Sequence, residues 1–265
     1  MRSDPTSNSV VRAFDAAAAT YDDASQVQRE IARELVFRAA RDIGRNPRKI
    51  LDLGCGAGHV TEAASQQWPE AEIVALDAAP AMLAALQSKF PGVKVICADA
   101  ADPGAIGPYD LILSSMMLHW LPDPRAALAR WRSLLAPGGR LHVALPVEGS
   151  LSEWRDACRA AGRTDGLWPF PPRDFGAGLS EKTVNKDFVT LYPDARGFLQ
   201  SLKRTGARKP RPGHRPESPA ALRRLLAAHQ GAFAATFRIA FLTIDADQTP
   251  TSDRSSLSPE TGGHQ

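Results

Sequence analysis

Short apolar runs alternate with amphipathic stretches from residue 48 onward. The runs, each typical of a buried strand, are KILDLG (49–54), EIVALD (72–77), VKVICAD (93–99), YDLILSS (109–115) and RLHVALP (140–146). The stretches between them that predict helices are 59–68, 80–89 and 124–135. Strands that alternate with helices at this spacing indicate a mostly parallel sheet with helices on both faces. The predicted fold class is therefore α/β, with residues 48–146 as its core.

The segment before this core, residues 1–47, predicts a helical arm. Residues 1–9 are polar, and we expect them to fray. Over 26–43, Ile31 and Leu35 recur on one face and charged residues on the other, which predicts an amphipathic helix.

The hydrophobic pattern changes after the core. Residues 147–183 are rich in Gly, Pro and aromatic residues, and we predict an inserted lid over 147–234. Within the lid, the predicted elements are helices near 150–161 and 194–205 and a strand at 187–193. A final core strand is predicted at 235–246, and residues 247–265 have the composition of a disordered tail.

Composition and charge exclude only a few classes of function. The net charge of +3 does not by itself indicate a nucleic-acid partner, and three cysteines offer neither a paired framework nor a metal-binding spacing. The beginning of the chain lacks an apolar signal segment, and no apolar run approaches the roughly 20 residues of a membrane span. We therefore expect a cytoplasmic protein that binds neither metal nor membrane.

A glycine-rich loop follows the first predicted strand and carries the strongest chemical signal. The segment 50–61 reads ILDLGCGAGHVT, with Gly54, Gly56 and Gly58 between strand and helix and Asp52 in the strand. A dinucleotide site needs glycine at the position of His59. A carboxylate would repel pyrophosphate but suits the cationic end of S-adenosylmethionine. The loop resembles motif I of class I methyltransferases, which have a Rossmann-like α/β fold.

Two further acids end the next two strands. Asp77 ends the second strand, where a carboxylate can accept hydrogen bonds from both hydroxyls of a ribose. Asp99 ends the third, and the family resemblance implies that this position holds the adenine amino group. Ligands of open α/β sheets bind at the carboxyl ends of the strands. The other residues that we predict to bind the cofactor there are Ala78, Met82, Ala100 and Ser115.

The residues after the fourth strand, SSMMLHWL (114–121), bear on the methyl acceptor. They lack the Pro-Pro-aromatic loop of methyltransferases that modify base amines, which disfavours nucleic acid. A phenol or carbon acceptor needs a general base, whereas a carboxylate is already ionised at neutral pH. His119 is the candidate base at this position, and a wall residue is the alternative that we favour.

Three segments outside the glycine loop resemble the BioC family, the malonyl-[acyl-carrier protein] O-methyltransferases of biotin synthesis. They are RAFDAAAATYDDASQVQREIA (12–32), EGSLSEWRDA (148–157) and FLQSLKRTGA (198–207). The resemblance implies methyl transfer to a malonyl carboxylate carried by an acyl-carrier protein, or by coenzyme A. It also implies that Tyr21 lies over the cofactor near its methionyl end. The alternative for Tyr21 is a core tyrosine.

The stretch from Lys203 to Arg215 contains six Lys or Arg and no acid. Because carrier proteins are acidic, this stretch is a candidate docking site, and the alternative is a solvated loop. The residues that we predict to bind the substrate or its carrier are Lys203, Arg208, Lys209 and Arg211.

Other interpretations of the sequence stay open. Four aromatic residues of the lid, Trp154, Trp168, Phe170 and Phe175, either line a tunnel or form the lid's own core. The chain as a whole can also be another small-molecule methyltransferase, or a relative of a respiratory complex I assembly factor that shares a segment like 114–120.

Overall fold

The computed structural model describes residues 5–104, 106–211, 213–215 and 218–246, with side chains from residue 9 onward. The strands are β1 (Lys49–Leu53), β2 (Glu72–Asp77), β3 (Lys94–Cys97), β4 (Tyr109–Ser115), β5 (Leu135–Pro146), β6 (Lys182–Tyr192) and β7 (Phe233–Asp245). The helices are α1 (Pro5–Ala24), α2 (Gln26–Asp42), α3 (His59–Gln67), α4 (Pro80–Lys89), α5 (Pro124–Arg132), α6 (Ser152–Ala160), α7 (Ala195–Arg204) and α8 (Pro219–Ala227). A single 3₁₀ turn (Leu118–Trp120) follows β4 within the described residues.

The strands form one seven-stranded sheet in the order β3-β2-β1-β4-β5-β7-β6. The five strands from β3 to β5 are parallel, whereas β7 is antiparallel to both β5 and β6. Helices cover both faces of the central strands, so β1 is buried on both sides, which explains its nearly continuous apolar sequence. The predicted α/β fold class is confirmed.

The first helix begins earlier than the sequence pattern suggested. We expected residues 1–9 to fray, but α1 begins at Pro5, a residue that the first turn of a helix tolerates. The helix is held by tertiary contacts, because the Asp15 carboxylate accepts a hydrogen bond from the Ala81 N–H at 2.7 Å, at the start of α4. This contact places α1 across the carboxyl ends of the strands.

The region predicted as a lid contains one strand of the sheet. β6 pairs with β7 along its whole length and forms the sheet's edge, so the range 147–234 is not purely an insertion. Only the last part of β6 has an apolar pattern. The pattern analysis also missed α8, although Ser218 and Pro219 are typical of a helix start and the Ser218 hydroxyl accepts from the Ala221 N–H. The predicted disordered tail at 247–265 lies outside the described residues.

None of the helices in the described part of the chain is long and apolar enough to cross a membrane.

Candidate functional site

The glycine loop turns between β1 and α3 at the carboxyl end of the sheet. The N–H groups of Gly54 and Cys55 donate to the Leu76 carbonyl of β2 at 2.8 and 3.1 Å. Gly54 has a φ of 70°, and a Cβ there would lie 2.4 Å from the Cγ of Met117. This position therefore requires glycine for both its backbone conformation and its close approach to Met117.

Gly58 has a different role from the one that we expected. Gly58, the third glycine of the loop, is one of the residues that we predicted to bind the cofactor. In the structure a Cβ on Gly58 would instead lie 3.1 Å from Leu86 in α4, and its φ is 97°. Gly58 therefore faces α4, and it is not among the residues that line the cavity beside this loop.

A cavity lies between the glycine loop, the ends of β2, β3 and β4, and the overlying α1; we call it the glycine-loop cavity. Eight of the ten residues predicted to bind the cofactor line it. They are Gly54, Gly56, Asp77, Ala78, Met82, Asp99, Ala100 and Ser115. The sequence predicted a helical segment over the cofactor within residues 1–47 but singled out only Tyr21 from it, so the other wall residues of α1, including Val10, Val11 and Phe14, were missed.

Asp77 ends β2, and its carboxylate holds the backbone on two sides of this cavity by hydrogen bonds. One carboxylate oxygen accepts from the Gly56 N–H at 2.8 Å and the other from the Ala79 N–H at 2.9 Å. Burial raises the pKa of this carboxyl group, although these hydrogen bonds oppose the shift. Each oxygen keeps a second lone pair for a ligand in the cavity.

Asp52 is not part of the cavity wall, in contrast to the prediction of direct contact. Its carboxyl group is buried in β1, and one oxygen accepts from the Thr61 hydroxyl at 2.7 Å. The other oxygen is buried without a hydrogen-bond partner among the described residues. Burial, together with the negative charge of Asp77, raises the pKa of Asp52 to about 7.

Asp52 and Asp77 are thus two buried carboxyl groups that form no ion pair with a described residue. A positive charge in the glycine-loop cavity would relieve their desolvation. This electrostatic requirement suits a cationic ligand such as S-adenosylmethionine and disfavours pyrophosphate.

Tyr21 of α1 stands where the glycine-loop cavity meets a second cavity, and it lines both. Its ring stacks on His59, with 5.6 Å between the ring centroids. The Nε2 atom of His59 lies 2.7 Å from the Ser25 hydroxyl, and burial lowers the pKa of His59 to about 4. The neutral ring of His59 therefore supports the Tyr21 ring by stacking on it. The sequence pattern did not reveal this role of His59.

We call the second cavity the aromatic cavity, because rings make up much of its wall. The aromatic residues that line it are Phe14, Tyr21, His119, Trp120, Trp168, Phe170 and Phe237. His119 packs against Trp120 and Phe170, with centroid distances of 4.9 and 5.9 Å. Burial lowers the pKa of His119 to about 3, so the ring is neutral at pH 7.

Of the four lid aromatic residues, two line a cavity and two belong to the core, so each of the two interpretations holds for one pair. Trp168 and Phe170 line the aromatic cavity, and Trp168 also contacts Trp120 edge-on. Trp154 and Phe175 are only 5% and 6% exposed and belong to the hydrophobic core.

A surface groove between α1 and α7 contains much of the predicted basic stretch; we call it the basic groove. It is lined by Lys203, Arg208 and Lys209, together with Arg12 from α1. Arg211 lies apart from it, because its guanidinium is directed into the lid, 3.5 Å from the Leu167 carbonyl and 3.9 Å from Asp165. The four predicted carrier-binding residues therefore do not form one surface.

Known proteins match this chain in sequence and in fold. A family model described as a methyltransferase domain matches residues 50–139. A malonyl-[acyl-carrier protein] O-methyltransferase from Magnetococcus marinus is 31% identical over 88% of this chain and 92% of its own length. The corresponding enzyme from Halorhodospira halophila is 33% identical over 83% of this chain and 79% of its own length. The bifunctional biotin biosynthesis protein BioCD of Bordetella avium is 35% identical over 82% of this chain, which spans 48% of that relative.

Solved structures support the fold alone. The plantazolicin methyltransferase BpumL superposes with a TM-score of 0.50 at 14% identity, covering 91% of each chain. The YcgJ protein of Bacillus subtilis gives a TM-score of 0.55 at 12% identity, over 81% of this chain and 99% of its own.

Together, the parallel sheet, the glycine loop and these matches define a class I methyltransferase with a Rossmann-like fold that uses S-adenosylmethionine. Within that class, the chain belongs to the malonyl-[acyl-carrier protein] O-methyltransferase family, BioC.

Proposed function

We propose that this enzyme transfers a methyl group from S-adenosylmethionine to the free carboxylate of a malonyl thioester on an acyl-carrier protein, in the cytoplasm. The observation that carries the proposal is the pair of joined cavities. They share Phe14, Tyr21, Met116 and Trp120, and the second cavity is walled mainly by apolar and aromatic groups. A small acceptor held there meets the cofactor's methyl group away from bulk water.

The glycine-loop cavity is the proposed cofactor site. Asp77 would hold the ribose hydroxyls, and Asp99 the adenine amino group. The negative charges of Asp77 and, behind the loop, Asp52 would favour the cationic methionyl end. S-adenosylmethionine supplies an electrophilic methyl group, and its sulfur keeps the electron pair of the broken bond. The remaining residues position the acceptor oxygen in line with that bond.

No proton has to move in this reaction, because the acceptor is already an anion. His119 is the one histidine among the described residues of the aromatic cavity. A base whose pKa is about 3 is poorly matched to removing a proton at neutral pH. The protonation state of His119 therefore favours a carboxylate over a phenol or carbon acceptor.

We expect His119→Gln to retain turnover within about tenfold of the unsubstituted enzyme, since loss of a general base typically costs about 10²–10⁴ in rate. Steady-state kinetics at saturating cofactor would measure this, and calorimetry with S-adenosylmethionine would verify the folded site. A loss of more than a thousandfold with cofactor binding intact would identify His119 as a base and exclude the carboxylate mechanism.

The basic groove is the proposed docking site for the acidic carrier. We expect the double reversal Lys203→Glu and Arg208→Glu to raise KM for the malonyl-carrier protein and to flatten its salt dependence, with little change in kcat. Both side chains are exposed and border the groove, so their charges act mainly on encounter. Exposed charges are screened beyond about 8–10 Å at moderate ionic strength.

The matched control is the double reversal of Arg48 and Lys94 to Glu. These residues are also exposed but lie at the amino ends of β1 and β3, at the opposite edge of the sheet. The net charge changes equally in both double variants. An equal rise of KM in the two would show that total charge matters and that the groove is not a docking site.

The proposed function is tested by incubating the purified enzyme with radiolabelled cofactor and three acceptors. These are the malonyl-carrier protein, malonyl-coenzyme A and trans-aconitate. The last is included because a trans-aconitate 2-methyltransferase from Methylobacterium nodulans is 34% identical over 58% of this chain. We expect base-labile label on the malonyl group. Label on trans-aconitate alone, or on none of the three, would refute the malonyl acceptor.

A further inference from the structure

A single charged residue lines the aromatic cavity within the described part of the chain. That residue is Lys209, on the loop that follows α7. The other residues of the wall are apolar or are neutral at pH 7, and they include no acid. Lys209 also borders the basic groove, and a cation that can reach an otherwise apolar cavity is the one group of its described wall that would attract an anion there.

The backbone of Lys209 is held in place by the cavity wall itself. Its carbonyl oxygen accepts a hydrogen bond from the indole N–H of Trp168 at 3.0 Å. The residue is half-buried, and its ammonium has no ion-pair partner among the described residues. Two nearby arginines do have such a partner, since Arg204 pairs with Asp23 at 3.4 Å and Arg211 with Asp165 at 3.9 Å.

Two more polar groups of the same wall lack partners. The amide oxygen of Gln28, on α2, and the Nδ1 atom of His119 are buried without a hydrogen-bond partner among the described residues. Buried polar atoms without partners are costly and uncommon in folded proteins. The Gln28 oxygen accepts hydrogen bonds and cannot itself bind an anion, so Lys209 is the group of this wall that indicates an anionic ligand.

We propose that Lys209 holds the carboxylate of the methyl acceptor and so restricts the enzyme to acidic acyl groups. The inference rests on the proposed function and adds to it the residue that selects the substrate class. Lys209 borders the basic groove together with Lys203 and Arg208, but of these three residues it alone also lines the aromatic cavity.

The expected kinetic signature follows from the charge change during methyl transfer. The carboxylate loses its negative charge as the new bond forms, so a neighbouring cation stabilises the bound substrate more than the transition state. Removing Lys209 should therefore raise KM for the acceptor without lowering kcat. A residue that served only the fold would instead lower the amount of active enzyme.

The experiment compares Lys209→Met, Lys209→Arg and Lys203→Met in the full chain. Each enzyme is assayed with the malonyl-carrier protein, with the acetyl-carrier protein as a competitive inhibitor that lacks the carboxylate. For Lys209→Met we expect KM for the malonyl substrate to rise about 10- to 100-fold, the range for losing a charge-assisted hydrogen bond. The inhibition constant of the acetyl-carrier protein should rise by no more than it does in Lys203→Met, because Lys209 also borders the basic groove. Lys209→Arg should restore most of the preference for the malonyl group.

The control Lys203→Met removes the same charge from the basic groove, and we expect it to weaken both carrier thioesters equally. The inference is overturned if Lys209→Met weakens the malonyl and acetyl thioesters by the same factor, since Lys209 would then contact the carrier. It is also overturned by an unchanged KM, or by a fall in kcat alone. Failure of the unsubstituted enzyme to methylate the malonyl group would instead refute the proposed function, so the two failures are distinguishable.

Discussion

Asp77→Ala is expected to weaken S-adenosylmethionine binding by about 1–3 kcal/mol, which corresponds to roughly 5- to 150-fold in Kd. The carboxylate would accept hydrogen bonds from the ribose, and it already accepts them from the Gly56 and Ala79 N–H groups. Its removal therefore takes away ligand contacts and also frees the glycine loop from β2. Isothermal calorimetry with the apoprotein measures the change directly.

Asp99→Ala is the matched control, because Asp99 lines the same cavity and follows the end of β3 by two residues, in contrast to the prediction that it ends the strand. Its side chain is exposed, and its one hydrogen bond to a described residue is from the Ala101 N–H of its own turn. We therefore expect a loss of about 1 kcal/mol or less, as is usual for one solvated hydrogen bond. A larger loss for Asp99→Ala than for Asp77→Ala would show that the ribose does not lie at the end of β2.

The central strands were predictable because burial on both faces leaves a strong signal. Residues of β1, β2 and β4 pack against helices above and below the sheet, and after Lys49 the run ILDL is interrupted only by Asp52. β6 gives no such signal, since it forms the edge of the sheet and most of its side chains are exposed. Its position is determined by pairing with β7, which local pattern does not encode.

The cofactor side of the site was predictable for a related reason. The carboxyl ends of parallel strands must meet at one edge, so the ends of β2 and β3 bring Asp77 and Asp99 to the same cavity. Asp52 shows the limit of this reasoning. It lies one residue before the end of β1, where it is buried beside Thr61 and does not reach the cavity.

The acceptor side depends on packing between distant segments, which no local pattern reveals. Lys209 reaches the aromatic cavity because Trp168 holds its backbone from 41 residues away in the chain. His59 reaches Tyr21 and Ser25 through the contact of α3 with the helical arm. The resemblance to a known family predicted that Tyr21 lies at the site. Only the structure shows that His59 stacks on it.

Trp131→Ala is expected to cost about 3–5 kcal/mol of unfolding free energy, the usual range for truncating a buried Trp. The Trp131 side chain is fully buried in α5, and its indole N–H donates to the Ala100 carbonyl at 2.8 Å. Ala100 lines the glycine-loop cavity, so this hydrogen bond ties the cavity wall to the core. Urea-induced unfolding of the apoprotein, followed by circular dichroism, measures the loss.

The substitution Trp131→Phe separates the hydrogen bond from the packing. We expect it to cost about 1–3 kcal/mol, because it leaves the buried Ala100 carbonyl without its partner, and to weaken cofactor binding through the loosened wall. Trp68→Phe is its matched control, since Trp68 is 4% exposed but its indole N–H donates to no described residue. Trp68 also lies outside the cavity, so its substitution should leave cofactor affinity unchanged. Equal stability losses in the two Phe variants, with equal cofactor affinities, would mean that the Trp131 hydrogen bond does not hold the wall.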